Sequence, residues 1–172
     1  MESGIQSMKA HLGYLGYVLR HKWHVLYAGI FLGVPFGRLL IYDWTKFTPA
    51  EWGPYVRRFG GGNNSKWEKA DDDQEWKDAW LHHWTHNPHH WNYWCIVIED
   101  TYLGSMRVPR PMPETYVREM VADWYGAGMA QGKPAIEAWY MANNDKMQLH
   151  PETRAMVHRF ITEGVLKGVI KG

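Results

Sequence analysis

Five of the chain's ten histidines fall within eleven residues, LHHWTHNPHHW (81–91), with Trp84 and Trp91 among them and Pro88 interrupting. Imidazole titrates near neutral pH and is the commonest metal ligand. A stretch this dense therefore suits a metal site, an acid/base site or an aromatic packing surface. On a helix, residues four apart share a face, so His82 and His86 can address one ion, as can Asp78 and His82. His83 falls beside Trp76, Ala79 and Trp80, toward the buried side, where its ring nitrogens need partners. For one histidine alone, a hydrogen-bonded core position is the commoner outcome. Five together favour a ligand set, and imidazoles mixed with carboxylates suit a divalent ion such as Mn, Fe, Zn, Co or Ni.

The carboxylates come from other segments. Asp43 lies in IYDWTKF, where an unpaired charge would be costly, and Lys46 stands three residues on, on the same helical face. The plainest reading of these two is a structural ion pair. Asp123 lies in MVADWYGAG within an apolar stripe, and His21 lies one helix earlier, in LRHKWHV. Four helical segments thus offer ligands in the order His, Asp, His cluster, Asp. The expectation is that His21, Asp43, Asp123 and at least one of His82 and His83 converge in one pocket.

These residues must be held by elements, and the apolar periodicity is helical almost throughout. From about Ile5 to Leu32 it predicts one long helix or two short ones, broken by glycines. FGRLLIYDWTKF reads as another helix. TPAEW starts a third, with Thr48 as N-cap, Pro49 in the first turn and Glu51 three residues after the cap. GGGNNS (60–65) reads as a flexible loop, and ADDDQEWKDAWLHHW as a helix with acidic residues at its positive end. CIVIE (95–99) is a strand or a buried helical turn, and VPRPMP is a proline-rich connection. Three more helices follow: PETYVREMVADWYGAGMA with Val117, Met120, Val121 and Trp124 as its stripe, then KPAIEAWYMANN, then HPETRAMVHRFITEGVL. The fold class expected is all-α, a compact single-domain helical bundle over residues 1–172 with five to seven helices and at most a minor strand.

The totals exclude several classes. Lys and Arg number 19 against 18 Asp and Glu, so the chain lacks the cationic footprint of a protein that binds long nucleic acid. Cys95 is the single cysteine, which removes an internal disulfide framework and a multi-thiolate zinc site, and fits a reducing, cytoplasmic setting. VLYAGIFLGVPF (25–36) is shorter than a bilayer span and carries Gly33 and Pro35, so it reads as core, and no membrane association is expected. The N-terminal residues lack the pattern of a secretory signal.

The blocks HKWHVLYAG, YDWTKFTPAEW, AWLHHWTHNPHHWNYW, MPETYVREMVADW and KMQLHPETR, over residues 21–161, closely resemble an uncharacterised family of small phage and bacterial proteins, a domain of unknown function. More loosely, the order of ligands is similar to that of the HD superfamily of metal-dependent phosphohydrolases. That resemblance implies His21 as first ligand, Asp43 as the aspartate of the His-Asp pair, His83 as a further ligand and Asp123 as the last. Lys46 matches the lysine that often follows the pair, and His82, His89 and His90 stand where members with two metals have second-metal ligands or proton carriers. The family's pair reads His-Asp, whereas here it is Tyr42-Asp43. Tyrosine binds ferric ion but replaces imidazole poorly at zinc or manganese. Tyr42 is therefore expected beside the site without being indispensable, with the histidine cluster supplying the nitrogen, or else the site has lost its ion.

The activity implied is hydrolysis of a small phosphorylated substrate, such as a nucleotide, by metal-activated water, with a tryptophan (Trp84, Trp91 or Trp94) stacking on a base. The alternative is a non-catalytic helical protein that engages a partner through its aromatic and histidine-rich surface. An acid/base site without metal is a third reading.

Overall fold

The computed structural model describes residues 2–59, 74–100, 102, 104–133, 135–166 and 168. The fold is all-α, with seven α-helices and one two-stranded sheet among the described residues. The helices are α1 (Glu2–Leu32), α2 (Phe36–Ile41), α3 (Pro49–Phe59), α4 (Gln74–His86), α5 (Glu114–Ala130), α6 (Ile136–Asn143) and α7 (Pro151–Leu166). Strands β1 (Cys95–Asp100) and β2 (Gly104–Pro109) pair antiparallel, with Cys95 opposite Pro109 and Asp100 opposite Gly104. The chain divides into two compact units. One is made of residues 1–20 and 43–87, the other of residues 21–42 and 88–172. No described helix is long and apolar enough to cross a membrane.

The first unit is built on aromatic packing. Tyr14 and Val18 of α1, Tyr55 and Val56 of α3 and Ala79 of α4 are buried together, with Tyr17, Trp52, Phe59 and Trp76 packed around them. The Tyr14 ring meets Trp52 edge-on at 5.0 Å, and the Tyr55 ring lies 4.9 Å from Trp76. Such offset and edge contacts add about 0.5–1.5 kcal/mol per pair beyond area burial. α3 and α4 therefore present fixed faces, and the side chains projecting between them are held by large rigid rings.

In the second unit, Val25, Ala28 and Leu32 of α1 are buried with Val117, Met120 and Val121 of α5 and with Val157, Phe160 and Ile161 of α7. α1 is one helix despite its internal glycines, and its buried residues recur at helical spacing from Tyr14 to Leu32. It ends at Gly33, whose φ of +76° is the left-handed conformation of a C-terminal cap. Val34 N–H closes that cap on the Gly29 carbonyl at 2.8 Å, and Pro35 prevents continuation. Gly126 sets the approach of α5 to α1. A Cβ there would stand 2.4 Å from Val25 Cγ2 and 3.2 Å from the His21 carbonyl oxygen.

Three local readings change. The segment expected as one helix through Tyr42 to Phe47 breaks: α2 stops at Ile41, Asp43 takes a left-handed conformation at φ +55°, and residues 44–47 form a 3-10 turn. Glu51 does not close a capping box, since its carboxylate turns inward to His82 and His83. Part of the proline-rich connection is strand, because Val108 and Pro109 belong to β2. The glycine-rich loop (60–65) and the acidic residues 71–73 ahead of α4 lie outside the described residues.

The close approach at Gly126 yields a direct expectation. Gly126→Ala overpacks the α1–α5 contact against a β-branched side chain and backbone, and should lower stability by about 1–3 kcal/mol. Urea unfolding followed by circular dichroism measures this. A variant as stable as the parent would show that the helices separate without cost.

Candidate metal and acid/base sites

In the first unit, the chemistry collects where α3, α4 and the 3-10 turn meet. Glu51 sits one turn before Tyr55 on the buried face of α3, fully excluded from solvent. Its Oε1 accepts from His82 Nδ1 and its Oε2 from His83 Nδ1, both at 2.8 Å. Burial alone would raise the Glu51 pKa, but the hydrogen bonds and charge of His83, with further bonds from His82 and Thr45, outweigh it and hold the group below its ordinary value.

His83, 2% exposed, is oriented by this contact. With Nδ1–H given to Glu51, its other nitrogen, Nε2, faces Asp43 Oδ1 at 3.6 Å. That is too long for a hydrogen bond. It fits two donors on one tetrahedral ion at about 2.0–2.2 Å, which stand roughly 3.3–3.6 Å apart. Lys46 Nζ holds the other Asp43 oxygen, Oδ2, so the expected Asp43–Lys46 pair is present. Asn87 closes the end of α4, its amide donating to the His83 carbonyl and to Thr45 Oγ1, each at 2.7 Å. The residues present therefore fit a cation between Asp43 Oδ1 and His83 Nε2, with Glu51 fixing the imidazole tautomer as outer partners of metal-bound histidines do.

His82 is on the same helix but more open, its side chain 30% exposed, and its ring stacks on His86 at 4.2 Å. His86 Nδ1 in turn lies 2.7 Å from the His82 carbonyl oxygen. Asp78 accepts from Gln74 at 2.7 Å.

The second unit holds a different constellation. His21 of α1, Tyr42 just past α2 and Asp123 of α5 are all buried. Tyr42 Oη lies 3.0 Å from His21 Nε2 and donates to Asp123 Oδ1 at 2.5 Å, while His21 Nε2 stands 3.2 Å from the same oxygen. Tyr42 thus touches both His21 and Asp123, which also stand in direct contact with each other. Burial raises the Asp123 pKa, yet the hydrogen bond and charge of His21, then the charges of His89 and His90, hold the carboxyl far below the ordinary range. Lys22 donates to the Tyr42 carbonyl and lies over its ring, which fixes the residue at the end of α2.

One turn before Asp123 on α5, the buried Glu119 receives Arg38 through Nε at 2.8 Å and Nη2 at 2.6 Å. His89 Nδ1 lies 3.6 Å from its other oxygen, and the His89 and His90 rings are 4.4 Å apart. Trp94 donates its indole N–H to the Pro88 carbonyl at 2.7 Å and packs with Trp91 against the second core, so both serve packing. Trp84 is half-buried.

Sequence reasoning missed Glu51 and Glu119. Each carried a signal: Glu51 lies on the same face as Tyr55 and Phe59, and Glu119 is four residues before Asp123 within an apolar stripe. A carboxylate on a buried face demands a partner.

No curated protein and no solved structure matches the chain. A family model matches residues 10–163, which is most of its length. On that match the chain belongs to the family of unknown function DUF5662.

Proposed function

We propose that the protein is a metal-dependent phosphohydrolase acting on a small phosphate ester of the nucleotide class. The observation that supports it is the set of His83 between Glu51 and Asp43, three buried groups in which one imidazole nitrogen is held by a carboxylate and the other is aimed at a second. A divalent ion (Mn, Fe, Zn, Co or Ni) would be held by Asp43 Oδ1 and His83 Nε2, and supplies Lewis acidity toward a phosphoryl oxygen and toward water. Glu51 keeps the Nδ1–H tautomer of His83, so that Nε2 presents its lone pair. Lys46 orients Asp43 and offsets negative charge near the phosphate. His82, partly open to solvent and bonded to Glu51, moves the proton taken from water.

A second reading is favoured by a different observation. Trp23, Tyr27 and Phe31 recur every four residues on the exposed side of α1, and Ile96, Val97, Ile98 and Met106 are exposed on the hairpin. An aromatic face of this kind suits a non-catalytic binding protein.

Two measurements separate the readings. Protein purified without a histidine tag and reconstituted with Mn²⁺ or Zn²⁺ should bind at least one equivalent and hydrolyse members of a nucleotide panel. His83→Ala and Asp43→Asn should lose most of the metal while keeping the helical circular dichroism signal, and Glu51→Gln should weaken binding about 10–100-fold. Protein that takes up no metal and turns over nothing leaves the binding reading.

The pH dependence tests Glu51 itself. Its folded pKa is lower than its unfolded value, so the unfolded chain binds more protons in the carboxylate range. The stability it contributes is complete above the unfolded value, about 4.3, and is lost as pH falls through the folded one. Glu51→Gln should therefore flatten the acid side of the stability profile in urea titrations between about pH 6 and 3. An unchanged slope would place the acid sensitivity on other carboxylates.

A further inference from the structure

The C-terminal half of α1 is apolar on both sides. Val25, Ala28 and Leu32 face the core of the second unit, while Trp23, Tyr27, Ile30 and Phe31 fall on the opposite side and are exposed. No Asp, Glu, Lys or Arg occurs from Trp23 to Gly37. A helix that is apolar all round belongs in an interior, so the outer face of this one calls for a cover. α2 lies against the same stretch, where Leu39 Cδ2 would stand 2.5 Å from a Cβ on Gly29, and it adds Phe36, Leu40 and Ile41 to the exposed set.

Area, composition and charge identify the cover. These side chains are between 42% and 69% exposed. At about 150–250 Å² for an aromatic side chain, and less for Ile and Leu, they leave roughly 800 Å² of apolar surface open, which is about what each partner of a standard interface buries. Aromatic and uncharged, the patch has the composition of an interface core, and interfaces between copies of one chain are the most apolar. A lipid surface is the poorer match, because a helix lying on a membrane carries basic residues along its polar side, and here the side opposite the patch is core. Trp23 and Phe31 are also spaced symmetrically about Tyr27. A two-fold axis through Tyr27 therefore sets Trp23 of one copy against Phe31 of the other, the self-complementary pattern of a two-fold interface. It holds the exposed Arg20 of each copy about 21 Å from its counterpart, well beyond the screening length of about 8 Å, whereas a parallel pair would set the two side by side.

We propose that this face is the interface of a homodimer in which α1 packs antiparallel on α1 of a second copy. The dimer is independent of the metal reading, since Asp43, Glu51 and His83 are no part of the face, and it names the occupant of the α1 surface on which the binding reading rests.

Sedimentation equilibrium of the full chain at micromolar concentration should give twice the 20.2 kDa mass of the chain. Tyr27→Lys places two like charges at the axis and should raise the dissociation constant at least about thirtyfold, with the helical circular dichroism signal unchanged because the position is exposed in the single chain. Trp23→Lys and Phe31→Glu should each weaken the dimer. The double variant should recover at least about fivefold, because only in the antiparallel pair does each introduced lysine face an introduced glutamate. Asp43→Asn should stay dimeric, which separates this result from loss of the metal. A wild-type chain that stays monomeric, whether free or bound to vesicles of phosphatidylcholine and phosphatidylserine, would overturn the proposal. So would a dimer that Tyr27→Lys and Trp23→Lys both leave intact, or a double variant that associates more weakly than either single one.

Discussion

Four carboxylates, Asp43, Glu51, Glu119 and Asp123, are buried among the described residues, and the arrangement of each unit follows from the need to answer their charge. An isolated carboxylate in a medium of low dielectric is too costly to survive ionised. Each therefore draws cations or imidazoles to it: Lys46 to Asp43, His82 and His83 to Glu51, Arg38 to Glu119, His21 to Asp123. Removing one partner from such a pair costs about 3–5 kcal/mol because the other charge stays behind. Three of the five histidines of residues 81–91 answer the same demand. His82, His83 and His89 each face a glutamate from another helix.

The consequence for chemistry is orientation. A histidine whose Nδ1 is held by a carboxylate has its second nitrogen aimed, and in a buried setting it cannot swing away. His83 shows this most clearly, since Glu51 fixes one edge of the ring and Tyr55 and Trp80 lie 5.9 and 5.7 Å from it. Asp43 is aimed by other means. Its backbone is left-handed, a conformation that costs an L-residue roughly 1–2 kcal/mol and an aspartate less, and it stands directly before the 3-10 turn. Lys46 then occupies one of its oxygens. Strain at a residue with this contact set is where functional sites commonly store it.

Tyr42 changes how the second unit is read. A histidine at that position would bring a neutral nitrogen to His21 and Asp123, whereas tyrosine brings a hydroxyl that donates to the carboxylate and stands within bonding distance of the imidazole.

The sequence by itself determined the helices and the local pairs. Apolar periodicity located α1, α5 and α7, Gly33 and Pro35 marked the end of α1, and the three-residue spacing of Asp43 and Lys46 was enough for their contact. These depend on neighbours within one or two turns. The β2 strand escaped because most of its residues are exposed, so no alternation of apolar and polar positions marks it. The helical break at Tyr42–Asp43 escaped because aspartate tolerates the left-handed region and no glycine or proline announces it. Only tertiary structure decided which carboxylate answers which histidine. Glu51 meets His83 across 32 positions, and Tyr42 meets Asp123 across 81. Hydrogen-bond partners at such separations are set by how helices pack, through contacts such as Gly126 against Val25, and by nothing local to either residue.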